Sequence, residues 1–383
     1  MHIFKKITAS FLVWRFLLFL IAFVSIYFLP IFGGRFPYAD RVLEITHLPY
    51  WAWGWGNFDG VHYLRIAQDG YKAAYSQAFF PVFPVLIRLF SFIFPKDFSL
   101  NTTLYTDPSF FYSGLILSNV FFLSSLYLLF KLINIDFKKD IAFLSVIFLL
   151  AFPTSFYFGA IYTESLFLLL SVLSVYLIRS NKFVLAAIVI AVSTATRITG
   201  VLLIPLYLIE AFNSKKKINF VWALITPIGL LAYMCYLKTT VNDPLYFLTS
   251  QPFFGAQRSG NEIILLPQVI YRYFRIFLTT DIRSLAFFNA FIEFAFTIIP
   301  LGALIFLFKK VRFSYWFFSI CTLLLGTFTG TFSSMPRYVL IPFVFILPQI
   351  VVVTRRYVKP FLFMSGLVAI VLVILFVRGY WIA

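Results

Sequence analysis

Residues 51–71 read WAWGWGNFDGVHYLRIAQDGY, a run that carries a carboxylate, an imidazole and a phenol within five positions. Asn57 suits a helix N-cap and Gly70 suits the position just past a helix end, so about three turns fit between them. At 3.6 residues per turn, Asp59, His62, Tyr63 and Ile66 share one face. Asp59 falls in the first turn, where the helix dipole favours a charged carboxylate. Two readings stand. In one, Asp59 is a general base that takes the proton of an acceptor hydroxyl, while His62 and Tyr63 position the carboxylate or the substrate. Positioned bases contribute on the order of 10²–10⁴-fold. In the other, Asp59 only complements the dipole and His62 is a hydrogen-bonding partner. A metal held by Asp59 and His62 would have two ligands, too few for a site.

Three more charges stand out. Glu164, in FGAIYTESLFLLL, begins an apolar run, with Thr163 as its cap. It either complements a helix N-terminus or orients an acceptor or a partner arginine. Arg197, in STATRITGVLL, lies within a hydrophobic stretch, where an arginine costs about 2.5–3.5 kcal/mol. It either snorkels or presents its planar fork to a phosphate. Arg337, in GTFSSMPRYVLIPF, admits the same two readings, with Ser333 and Ser334 as caps and Pro336 in a first helical turn. Asp40 and Glu44, four apart, form a second acidic pair, and Arg258, Arg272, Arg275 and Arg283 either follow an anionic acceptor or, the preferred reading, line the headgroup layer. The two cysteines, Cys235 and Cys321, sit in apolar runs without CxxC or zinc spacing, and three histidines are too few for a multi-histidine metal site. No P-loop, GxGxxG or nucleophile elbow occurs, so nothing points to a nucleotide-driven machine.

The elements that must carry these residues are membrane helices. Of 383 residues, 62% are hydrophobic and only 12% charged, and mean hydropathy is +0.94. Soluble domains run at about 45–50% apolar and about 25% charged. A soluble enzyme, a disordered chain and a nucleic-acid-binding module are excluded. The net charge of +17 is explained by basic loops on the cytoplasmic side of a membrane. The fold expected is an all-α polytopic membrane protein, a single domain over 1–383. About eleven transmembrane helices are expected, within bounds of nine and twelve. The first is an uncleaved signal anchor with its N-terminus inside. The stretch 183–212 is too long for one span and is read as two short helices turning at Arg197 and Gly200. Short loops with Lys5, Lys6, Lys138, Lys139, Arg179, Lys215 to Lys217, Arg312 and Arg355 then fall inside. Segments 32–108 and 238–283 fall outside. The first holds amphipathic helices at the interface, with Trp51, Trp53 and Trp55 flanking the acidic helix, and at 79–95 a re-entrant or interfacial stretch, preferred to a true span. Asp59, His62, Glu164, Arg197 and Arg337 all come to the outer face.

The run FDGVHYLRIAQDGY, followed by QAFFPVFPVLIRL, resembles the opening of the GPI mannosyltransferase II (phosphatidylinositol-glycan class V) family, in a prokaryotic form. The later runs YTESLFLLLS, ATRITGVLL and SSMPRYVLIPF follow in that family's order. The likeness extends from about residue 10 to about residue 350. It implies a GT-C-like fold and a glycosyltransferase. It also implies a lipid-phosphate-linked sugar donor, an extracytoplasmic active site and inverting transfer, with an acidic residue of the first outer loop as base. The matching position is Asp59. Eukaryotic members tend to carry Trp where this chain has Phe58, and their acceptor is not carried over. The expectation is a mannosyltransferase-like enzyme of the cell membrane. It would move a hexose from a polyprenyl-phosphate donor to a hydroxyl of a glycan or glycolipid acceptor. Asp59 would be the base, Arg197 and Arg337 would sit at the phosphate, and His62, Tyr63 and Glu164 would bind substrate. Membrane lipids are partners and nucleic acid is not. No cofactor is required, and a divalent cation stays open. The alternatives are a lipid-linked sugar flippase, which would place charges along a central path, and a non-catalytic scaffold for glycan assembly.

Overall fold

The computed structural model describes residues 2–34, 39–97, 99–254, 259 and 263–382, so Arg258 lies outside the described residues. Among them every regular element is helical. The principal helices are α1 (His2–Phe28), α2 (Asp59–Asp69), α3 (Val82–Ser91), α4 (Pro108–Ile133), α5 (Lys139–Ala151), α6 (Glu164–Arg179) and α7 (Phe183–Thr194). They continue with α8 (Leu203–Asn213), α9 (Ile228–Val241), α10 (Leu266–Thr279), α11 (Leu285–Leu307), α12 (Phe313–Thr327), α13 (Leu340–Thr354) and α14 (Val358–Val377).

Five stretches, Ile3–Phe28, Pro108–Ile133, Ile218–Val241, Leu285–Leu307 and Leu340–Val377, are long and apolar enough to cross a membrane. The protein is a polytopic membrane protein. The difference from about eleven spans has a physical origin. Leu340–Val377 contains two of the expected spans in one 38-residue helical stretch. Others end early: α5 stops after 13 residues, just before Phe152 and Pro153. The 183–212 run divides as expected into α7 and α8, joined by a tight turn around Arg197 and Gly200. At 10 residues, α3 is about 15 Å long, half a bilayer core.

The centre is built by α4 lying along α6, α6 along α7, and α12 along α13, while α1 closes against α14. The ends of these helices sort the charges. Glu164 opens α6 and Arg179 closes it, about 24 Å apart on a 16-residue helix. Arg337 precedes α13 and Arg355 follows it. At the Arg179 end, Arg179 clasps Asp136 through two 2.6 Å bonds. Arg312 holds Glu210 at 2.5 and 2.6 Å, and Arg355 reaches Asp140 at 3.1 Å. At the other end Asp59, Glu164, Arg197 and Arg337 meet. The charged groups thus gather in two sets at opposite ends of the bundle.

One local expectation needs correction. Phe58, not Asn57, occupies the N-cap of α2, and no side chain caps it. The Asn57 amide instead donates to the carbonyls of Phe376 and Val377, at 3.0 and 3.1 Å, where α14 ends. Orphan carbonyls at a helix end compete for such a donor. The tryptophans beside α2 pack inward: Trp53 and Trp55 are buried, and Phe19 of α1 packs edge-on against Trp51 and Trp55. α2 is itself an inner helix, packed against α3 and α4.

Candidate active site

The site begins with a backbone irregularity. Phe58 has φ 59 and ψ −116, a conformation that a bulky side chain rarely adopts, immediately before Asp59. Surrounding contacts over-determine it. Trp55 O accepts from Ile161 N at 2.9 Å, the Tyr162 hydroxyl donates to Asn57 O at 3.1 Å, and the Phe58 ring packs edge-to-face on Trp381. The FDG and YTES segments are laced together, and Asp59 and Glu164 both open helices at this seam. Arg337 arrives in the same way, in the short turn Met335–Tyr338 after Ser334, whose φ is 68. Thr154 Oγ1 ties this turn down by donating to Pro336 O at 2.6 Å. Pro336 takes its expected first-turn place, whereas the Ser334 side chain makes no cap bond.

The four charges form an alternating chain. Arg337 Nη1 donates to Asp59 Oδ2, and Arg337 Nε lies 3.4 Å from Glu164 Oε1. Arg197 Nη1 donates to the same Glu164 oxygen. Glu164 is 1% exposed and Arg337 8%, against 16% each for Asp59 and Arg197. Thr163 does not cap α6. Its hydroxyl instead receives Arg197 Nη1 at 3.3 Å and lies 3.4 Å from Tyr63 Oη. Glu164 Oε2 is buried without a hydrogen-bond partner. Burial works against the charge on Arg337, but Asp59 and Glu164 more than offset it, so its pKa is raised and the guanidinium stays charged. Tyr63 is pushed up by burial and then by Asp59, which keeps it a neutral hydroxyl.

A cavity of about 1000 Å³ opens onto this chain. Asp59, Tyr63, Glu164, Arg197 and Arg337 line it together. His62 is not among its lining residues. Its ring stacks on Phe79 at 4.6 Å and meets Phe254 edge-on at 5.6 Å. Burial lowers its pKa, with Asp59 acting in opposition, so it is a neutral ring packed behind the α2 face. Asp40 pairs with neighbouring Arg41 at 3.8 Å, and neither Asp40 nor Glu44 reaches the cavity. Among the described residues no group of three or more His, Cys, Asp or Glu gathers to hold a metal ion.

The cavity also has a wall that sequence reasoning passed over: Arg272 and Tyr273 of α10, and Asn289 and Glu293 of α11. Of the two readings open for Arg272 from sequence, the headgroup layer is the preferred one, but the residue lines the cavity and donates to Gly330 O at 3.0 Å. The overlooked signal was Glu293, a carboxylate inside an apolar helix, which implies function by default.

The charged array lines a large cavity at one end of the helical bundle of a polytopic membrane protein. Residues 46–226 match the family model described as mannosyltransferase (PIG-V). Over that stretch, which holds Asp59, His62, Tyr63, Glu164 and Arg197, the chain is similar to the PIG-V mannosyltransferases. The match supports a glycosyltransferase that works with a sugar donor and a glycan acceptor in a membrane. No curated protein and no solved structure matches the chain.

Proposed function

We propose that the protein is an inverting, GT-C-type mannosyltransferase that moves a hexose from a polyprenyl-phosphate donor to an acceptor hydroxyl on the extracytoplasmic side of the cell membrane. The observation that carries this reading is the Asp59–Arg337–Glu164–Arg197 chain at the cavity. The lipid tail lies among the helices and the donor phosphate approaches the two arginines. A guanidinium has five N–H donors, so Arg337 and Arg197, each engaged through Nη1, can share further donors with phosphate oxygens. Asp59 accepts the proton of the acceptor hydroxyl as that oxygen attacks the anomeric carbon. The bond from that carbon to the phosphate oxygen breaks on the opposite face, and its electron pair leaves with the lipid phosphate. Charge builds on that oxygen beside fixed guanidinium groups in a partly dry site, where such stabilisation is largest. The ring passes through an oxocarbenium-like state, as in other glycosyl chemistry. Glu164 keeps both arginines aligned, Tyr63 borders the sugar, and His62 supports α2 from behind. No metal enters the scheme.

The test is purified protein in detergent with labelled polyprenyl-phosphate mannose and a panel of glycoside acceptors. Transfer with inversion at the anomeric carbon, undiminished by a chelator, is the expected result. Movement of the donor across liposomes with neither transfer nor hydrolysis would instead establish a flippase, and no activity of either kind a scaffold.

A further inference from the structure

The proposed reaction leaves the second wall of the cavity without a role. Along its 23 residues, LAFFNAFIEFAFTIIPLGALIFL, α11 places Asn289 and Glu293 four apart, hence on one face. Both line the cavity. A carboxylate in such a helix costs about 2.5–3.5 kcal/mol on insertion scales and persists where it has a task. Each of the two polar residues is tied into the site. Glu293 accepts from the Tyr273 hydroxyl of α10. That hydroxyl accepts in turn from Phe332 N at 3.0 Å, in the loop that leads to Arg337. Asn289 Nδ2 donates to Trp381 O at 2.8 Å. Trp381 lines the same cavity, and its ring lies 5.1 Å from that of Phe58, the residue before Asp59.

A carboxylate that can accept two hydroxyls, set beside an indole against which the C–H face of a ring can lie, is the chemistry that recognises a pyranose. The Glu293 carboxylate suits hydroxyls, while Arg272 on the same wall gives its Nη1 to Gly330 O. Trp381 borders Phe58 and therefore the base, and the base must reach the acceptor. We infer that Glu293 and Trp381 form the acceptor subsite and take a pyranose with adjacent free hydroxyls, while Asn289 and Tyr273 act as positioning residues. This rests on the glycosyl-transfer reading above.

The experiment uses purified full-length protein, labelled polyprenyl-phosphate mannose as donor and methyl α-mannopyranoside as acceptor probe. Transfer to the glycoside and acceptor-free hydrolysis of the donor are measured separately. Glu293→Gln is expected to raise the KM for the glycoside about 10–100-fold, the loss of one hydrogen bond to a charged group. An unchanged KM, or a fall in kcat at constant KM, would overturn the assignment. Should that variant fail to fold, Trp381→Phe serves. Wild-type tryptophan emission is expected to change on adding the glycoside and that change to be lost in Trp381→Phe; its persistence would also overturn the subsite. If the wild type neither hydrolyses the donor nor transfers from it, the glycosyl-transfer reading fails, and the subsite with it.

Discussion

Asp59 is paired with Arg337, and under the proposed mechanism this pairing ties catalysis to stability. Replacing Asp59 with Asn should cut transfer by about 10²–10⁴-fold, the contribution of a positioned base. It should also lower the melting temperature, because Arg337 is then left with Glu164 as its remaining carboxylate. Glu164→Gln should destabilise more, by about 3–5 kcal/mol, since one buried oxygen serves two arginines. Thermal unfolding of both variants in detergent, beside turnover, checks the order; equal melting temperatures would mean that Glu164 is not the hub. His62 gives a pH prediction. Its folded pKa is lowered by burial, so the unfolded chain binds the proton more readily. Stability is therefore full above the ordinary pKa near 6.5 and falls as the pH drops below it, by at most about 1.4 kcal/mol per unit. The loss of melting temperature between pH 7 and pH 5 should shrink in His62→Gln. Asp59, Tyr63, Glu164, Arg197 and Arg337 were all identifiable as residues because each carries polarity into an apolar or aromatic context. That His62 packs behind the site instead of lining it was not legible, because i+3 spacing fixes a helix face but not the neighbours of that face.

At the scale of elements, the turn between α7 and α8 is the most exacting. A Cβ on Gly200 would sit 2.5 Å from Ser193 O and 2.9 Å from Thr194 N, backbone atoms that cannot give way cheaply. Arg197 lies in this same turn, its N–H bonded to Ser193 O at 3.2 Å. Gly200→Ala should therefore open the turn, displace Arg197 from Glu164, and lower both transfer and melting temperature. Gly302→Ala in α11, with nothing within 4 Å of its added carbon, should preserve both and serves as the control. The break in the 183–212 run could be read from its length, since about 20 residues cross a bilayer. The N-terminus of α2 could not. Asn57 has the right chemistry for a cap, but its amide is taken by carbonyls 319 and 320 residues away. A local pattern carries no information about so distant a competitor.

For the whole molecule, two sets of ion pairs sit at opposite ends of α6 and α13, and the sidedness read from basic loops is open to a direct test. If Asp59 faces the exterior, Ser99→Cys in a Cys235→Ser, Cys321→Ser background should react with an impermeant maleimide on intact cells. Lys216→Cys should react only after lysis. Both positions are exposed. The reverse pattern would move the reaction to the cytosolic face. Composition by itself determined that the chain is a polytopic membrane protein, because excess apolar residues and scarce charge are sums that do not depend on folding. Short motifs likewise marked the residues able to do chemistry. Only the tertiary structure decided that Arg337 meets Asp59, that Glu164 serves two arginines, that Trp55 is core and that Glu293 faces the same cavity. In an apolar surrounding a charge must find a partner, but which partner depends on which helix ends converge, and that is set by packing between segments hundreds of residues apart.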